Sequence, residues 1–219
     1  MTELVAEFRS ATAGRSVPQV RKATAAFWRG HRSRPAEVFV ALRAAWADGD
    51  HSVRLAVAMT CGPVAAAGVR PAATFMTGTI AGDADWRVQE SLAKGFDWMC
   101  AEQGWKESRP VIEEWLGHRT ANVRRAAAEG PRVWTKRPYF AEHPQEAVRL
   151  LGALRADSSE YVRKSVAHAL SDISKTHPDL ILAALSGWAG EDDAAWVVEH
   201  AARHLRTAAP DHPLRTVQR

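Results

Sequence analysis

No apolar run in this 219-residue chain approaches the roughly 20 residues that crossing a bilayer requires. The opening stretch MTELVAEFRSATAGR carries acidic residues and no apolar core, so it does not read as a secretory signal. A soluble, cytoplasmic chain with no membrane partner is the expectation. Cysteine is scarce. Cys61 and Cys100 stand far apart, with no CxxC and no Cys/His cluster, so a zinc site is not expected. Both thiols read as small core hydrophobes. Strand-like alternation and hairpin turn signals are also missing, which removes the all-β classes. Lysine is sparse beside arginine, and the formal charge is only +4. Arginine suits bidentate phosphate contacts better than lysine does, but so modest an excess leaves the choice of partner to the distribution of charge.

What the sequence does have is a repeat. A polar or acidic start, a valine with a basic neighbour and then small residues recur as HSVRLAVA, DWRVQESLA, ANVRRAAAE, EYVRKSVAHALSD and AAWVVEHAARH. The key valines are Val53, Val88, Val123, Val162 and Val197, spaced 35, 35, 39 and 35 residues apart. That period suits stacked helical pairs. Counting the valine as position 0, positions +3, +4 and +7 are apolar or small, which is one packed helix face. Between copies lie second helices such as PAEVFVALRAAWA, SRPVIEEWLG and PQEAVRLLGALRA, with Pro35, Pro110 and Pro144 near their starts, where proline is favoured. Trp46, Trp115 and Trp188 close or nearly close three such stretches and read as inter-helix packing.

The expected fold class is all-α, a HEAT-like repeat solenoid (an α-α superhelix) over residues 1–219. One or two capping helices are expected in 1–50, repeats in 51–206 and a tail in 207–219. The segment GPRVWTKRPYFAEHP cannot be one continuous helix and reads as a loop extending one face. A solenoid with polar end helices is expected to be monomeric.

The same register places the charges. At about 100° per residue, positions −2, +2, +6 and +10 follow one another by one turn, starting opposite the core and drifting about 40° per step, so that +10 lies near the core edge. Trp86 holds −2 and Glu90 +2 of one copy; Glu129 holds +6 of the next and Asp172 +10 of the one after. Arg87, Arg124, Arg125, Arg163 and Lys164 sit at −1, +1 or +2 around this acidic diagonal. Each also has a bland reading. The bases fit a solvated face, Glu129 fits a helix end before Gly130, and Asp172 fits a local pair with Lys175 or Lys164.

ANVRRAAAEGPRV, SEYVRKSVAHALSDISKTHPDLIL and, more weakly, WRVQESLAKGF resemble the AlkC/AlkD-type DNA alkylation repair glycosylases, with the AlkC branch nearest. The resemblance runs from about Asp85 to about Arg206. It implies a HEAT-like solenoid that grips double-stranded DNA on a concave basic face and cleaves the glycosidic bond of N3- or N7-alkylated bases, without metal or cofactor. It also implies that Glu90 is the principal catalytic carboxylate, with Glu129 and Asp172 assisting. Trp86 falls where the AlkD branch has an aromatic, and Arg125 matches a phosphate-contacting base. Arg87, Arg124, Arg132, Trp134, Arg163, Lys164, His168 and Lys175 complete the expected DNA-contacting set. The chain departs from the pattern in two places: Glu90 stands where the AlkD branch uses Asp, and His168 falls at its second tryptophan, for which Trp134 can substitute. The alternatives are a HEAT-repeat protein that binds damaged or branched DNA without cutting it, and a protein-interaction scaffold.

Overall fold

The computed structural model describes residues 2–47, 49–104, 106–129, 138–203 and 205. Arg132, Trp134 and the 207–219 tail lie outside them. Among the described residues every regular element is helical. Two compact units divide the chain, Met1–Pro110 and Val111–Arg219.

The first unit holds α1 (Thr2–Thr12), α2 (Val17–His31), α3 (Pro35–Trp46), α4 (His51–Ala66), α5 (Arg70–Gly78) and α6 (Trp86–Gln103). The segment before Val53 thus contains three helices rather than one or two. Helix α4 is the hub, packing on α2, α3, α5 and most extensively on α6. Its sequence is apolar nearly all round, as a helix covered on every side must be. Gly62 of α4 and Gly95 of α6 are buried where the two backbones meet. A Cβ on either would collide with backbone, that of Gly95 on one side and of Ala58 on the other. Small residues are what let the helices come so close.

Helix α7 (Arg109–Leu116) stands at the boundary. The second unit continues with α8 (Ala121–Glu129), α9 (Pro138–Glu142), α10 (Pro144–Gly152), α11 (Glu160–Ser174), α12 (Pro178–Trp188) and α13 (Ala195–Ala201). Here α11 is the hub, packing on α8, α10, α12 and α13. Part of the segment expected to loop out, Pro138–Glu142, is the short helix α9.

The five valines of the repeat are each the third residue of their helix, in α4, α6, α8, α11 and α13, and each is fully buried. Burying one is worth about 1.5–3 kcal/mol, so the column sets the rotation of every such helix. The acidic starts are caps. The Asp50 carboxylate accepts from the backbone N–H of Ser52 and Val53, and that of Asp85 accepts from Arg87. Pro35, Pro144 and Pro178 open α3, α10 and α12. The tryptophans pack as expected. Trp115 is buried, Trp46 meets the Phe75 ring edge-on at 5.8 Å, and Trp188 covers Gly152. Cys61 and Cys100 are both buried free thiols.

Candidate nucleic-acid interface

In the first unit the site is built on α6. Trp86 opens the helix and is 69% exposed, an unusual position for an indole. Glu90 follows one turn later and Lys94 one turn after that, both half-buried. Residues i, i+4 and i+8 form one ridge with a drift of about 40° per step. Arg87 is held at its root. Its Nε and Nη2 donate to Asp85 at 3.1 and 3.2 Å, and its guanidinium carbon lies 6.0 Å from the Trp86 ring centre. His51 Nδ1 lies 2.7 Å from the same carboxylate. The Arg87 hydrogen bond, helped by the Arg87 backbone N–H and by His51, pulls the Asp85 carboxyl down to about 2 against the effect of burial. A fixed anion therefore anchors the start of the ridge and orients Arg87 beside the indole.

In the second unit α8 and α11 share the site. Ser165 of α11 donates to Glu129 Oε1 at 2.6 Å, and Arg125 Nη2 lies 3.8 Å from the same oxygen. His168 and Asp172 follow Ser165 at +3 and +7, so all three lie on one side of α11. Asp172 stands about 10 Å beyond Ser165 along the axis. His168 is exposed. Of the two local partners open to Asp172 in the sequence, Lys175 takes it, at 2.6 Å. Lys164 pairs with Glu160 at 2.6 Å and lies 5.9 Å from the exposed Tyr161 ring.

Arg124 is engaged within the protein. It forms a two-pronged pair with Asp157, Nε to Oδ2 at 2.6 Å and Nη2 to Oδ1 at 2.8 Å. Its Nη1 donates to the carbonyls of His118 and Arg119 at 2.8 and 3.1 Å. Asp157 also accepts from the Ser159 backbone N–H, and Arg163 donates to the Asp157 carbonyl. A looser ion pair stands at the same offsets in the first unit. Arg54 Nε lies 3.2 Å from Asp83, whose carboxylate accepts from the N–H two residues on, at Asp85. In both cases an arginine at position +1 of one copy reaches an aspartate five residues before the next copy's valine. Arg124 therefore ties one repeat to the next through a side chain that is only 15% exposed.

The expected residues thus fall in two groups, Trp86, Arg87 and Glu90 on α6, and Arg125, Glu129, Arg163, Lys164, His168 and Asp172 on α8 and α11 with Lys175 just past the end of α11. Sequence reasoning missed Lys94, Ser165, Tyr161 and Asp157. The i, i+4 step from Glu90 marks Lys94. The recurrence of Asp at −5 with Arg at +1 marks Asp157. Ser165 had been legible only as a small packed residue. Among the described residues no three His, Cys, Asp or Glu side chains are grouped to hold a metal ion, and no helix is long and apolar enough to cross a membrane.

Against this geometry the sequence profile described as "DNA alkylation repair enzyme" matches residues 8–205. The chain belongs to that family. It is 34% identical to AlkD2 from Streptococcus mutans, with a TM-score of 0.81 over 92% of this chain and 97% of that one. It is also similar to the alkylpurine DNA glycosylase AlkC of Pseudomonas fluorescens, solved bound to DNA containing an abasic site analogue. There the identity is 22% and the TM-score 0.44, over 93% of this chain and 61% of that one. The uncharacterised protein YhaZ of Bacillus subtilis (strain 168) is 43% identical over 96 residues, 42% of this chain and 27% of that protein. The chain thus spans about a quarter of YhaZ. The likeness to AlkD2 runs along both chains, so the AlkC emphasis of the motifs gives way to an AlkD-type assignment within the same family.

Proposed function

We propose that the chain is a DNA glycosylase that releases N3- or N7-alkylated bases from double-stranded DNA. The observation that carries this is the α6 ridge, an exposed Trp86 one turn before a half-buried Glu90, in a member of a DNA alkylation repair family. Alkylation at N3 or N7 makes the base cationic and weakens its bond to the sugar. An indole face attracts such a cation by about 0.5–2 kcal/mol. The Glu90 carboxylate then stabilises the positive charge that develops on the sugar and holds the water that adds to it. No metal is required for either task. Glu129 and Asp172 assist as further negative charges. Arg87 in the first unit, and Arg125, Arg163, Lys164, His168 and Lys175 in the second, contact phosphates, and such contacts fix register and make affinity fall with salt. Arg124 serves the second unit by holding its repeats together. Arg132 and Trp134 belong to the proposed surface on sequence grounds alone. The protein is proposed to act as a cytoplasmic monomer without a cofactor.

The test is base release from methylated duplex DNA, with the freed base identified. Glu90→Gln is expected to slow release by about 10²-fold or more, within the range for a positioned acid–base group. Release at the wild-type rate would overturn the assignment. A second reading, a protein that binds damaged or branched DNA without cutting it, is favoured by two pairings. Glu129 is hydrogen-bonded to Ser165, and Asp172 is paired with Lys175. Tight, salt-dependent binding with no released base would establish it, whereas salt-independent behaviour would favour a protein scaffold.

A further inference from the structure

We propose that the groove between α1 and α2 is a second DNA site, one that grips the phosphodiester backbone of a duplex and reads no base. The inference rests on the DNA-binding part of the proposed function and not on base release. Between Glu7 and Glu37 the chain has no acidic residue but six arginines and one lysine, and all seven are exposed. That local +7 exceeds the +4 of the whole chain, so everything else together is −3. The positive charge of this protein is therefore a property of its first two helices. Elsewhere bases are tied to acids of the fold: Arg54, Arg124, Arg155 and Lys175 each hold a carboxylate. Arg15 and Lys22 have no carboxylate partner among the described residues.

Those two bases stand on the wall of a groove of about 620 Å³. Its floor is made of small residues, Ala11, Ala23, Ala26 and Gly30. Nothing lies within 4 Å of where a Cβ on Gly30 would stand, so the groove is open there. From Gln19 to His31 it follows α2 for about 18 Å, room for several phosphates of one strand at about 3.4 Å each along the duplex axis. The small floor lets a sugar–phosphate chain come close to the helix, and arginine forks suit its oxygens. The side chains able to read a base edge are already engaged. Glu7 Oε1 meets His31 Nε2 at 2.8 Å, and Gln19 Oε1 accepts from the Ser16 backbone N–H and hydroxyl at 2.9 and 2.8 Å. What remains is positive charge, which fixes position on a duplex without selecting sequence or lesion. No residue of α6 lines the groove, so it is separate from the Trp86–Glu90 ridge.

The test measures affinity of the full chain against salt for two fluorescent duplexes, one methylated and one unmodified. Arg15→Ala combined with Lys22→Ala should make the slope of log affinity on log salt shallower by about 1.8, at about 0.9 for each phosphate released. The change should be equal on both duplexes, and base release at saturating enzyme should keep its wild-type rate. Ala26→Glu, which sets a carboxylate in the floor, should weaken binding to both duplexes. Arg43→Ala removes an equally exposed base from α3 and should leave the slope unchanged. All four positions are exposed, so the variants should melt with the wild type. An unchanged slope in the double variant overturns the proposal. So does a loss confined to the methylated duplex, or an equal loss per base from Arg43→Ala. Binding to phosphatidylglycerol vesicles that the double variant abolishes, with its DNA slope intact, overturns it in favour of a membrane surface. An unchanged slope with base release intact removes only this site. A shallower slope in the double variant, with no base released by the wild type, removes only the glycosylase reading.

Discussion

Arg124→Ala separates a structural arginine from a phosphate-contacting one. Its partner carboxylate, Asp157, is 5% exposed, and the Arg124 side chain is 15% exposed. Removing the guanidinium leaves a nearly buried anion with only the Ser159 N–H, and strips a donor from the carbonyls of His118 and Arg119. Breaking such a pair by deleting one partner costs about 3–5 kcal/mol. Loss at the lower end, about 3 kcal/mol, with a urea m-value of about 2 kcal/mol/M, lowers the unfolding midpoint by about 1.5 M. Acid should do the same to the wild type. Burial pushes the Asp157 carboxyl up, but Arg124, the Ser159 N–H and Arg163 together outweigh it and hold it below its ordinary 3.8. A depressed carboxyl stabilises the fold above its unfolded value and loses that effect as pH falls through its folded value. The stability gap between wild type and Arg124→Ala is therefore full above about pH 4 and closes below it. Urea unfolding at several pH values measures this, and DNA affinity against salt completes it. A phosphate contact contributes about 0.9 to the slope of log affinity on log salt. An unchanged unfolding midpoint with a slope shallower by about one would refute the clasp and restore Arg124 to the DNA-contacting set.

Two further outcomes follow from the core. Gly62→Ala or Gly95→Ala places a methyl group against backbone at the α4–α6 crossing, and overpacking of this kind costs about 1–3 kcal/mol; a thermal melt unchanged from wild type would mean that the helices part freely. Cys61 should resist thiol reagents in the folded protein, because burial pushes its thiol well above the ordinary range and removes access. Its labelling rate should track unfolding in denaturant, and rapid labelling without denaturant would contradict the burial.

The fold was legible in the sequence to the extent that it lies in a period. Five valines at regular spacing set the rotation of five helices, and all five are buried as the third residue of their helix. The N-terminal region carried no such period, and its helices number three instead of one or two. Angle around a helix was legible, but partners across helices were not. Periodicity put Arg124 on the outside of α8, beside Arg125. It could not say that a carboxylate 33 residues away would close over it. That signal lay in comparing copies rather than in reading any one of them. Arg54 and Asp83 repeat the pattern of Arg124 and Asp157, at the same offsets from their valines.

The register also explains why the candidate surface begins at α6. Position +2 points away from the valine side of each helix, and it holds Glu90, Arg125, Lys164 and Glu199 in the four later copies. In the first copy it holds Leu55, which is 1% exposed. A leucine is suited there because α4 has no solvent face. Helices α2 and α3 pack on it, so the position that carries charge elsewhere must be apolar here. The three N-terminal helices therefore act as more than an end cap. They convert the first copy from a charged repeat into the buried hub of its unit. Leu55→Lys tests that view. A charge placed in this covered position should cost several kcal/mol, as an unpaired buried ion does. The same substitution at the exposed Glu199 should stay within about 0.5 kcal/mol. Comparable melting of the two variants would mean that α4 keeps an open face and that the surface starts one repeat earlier.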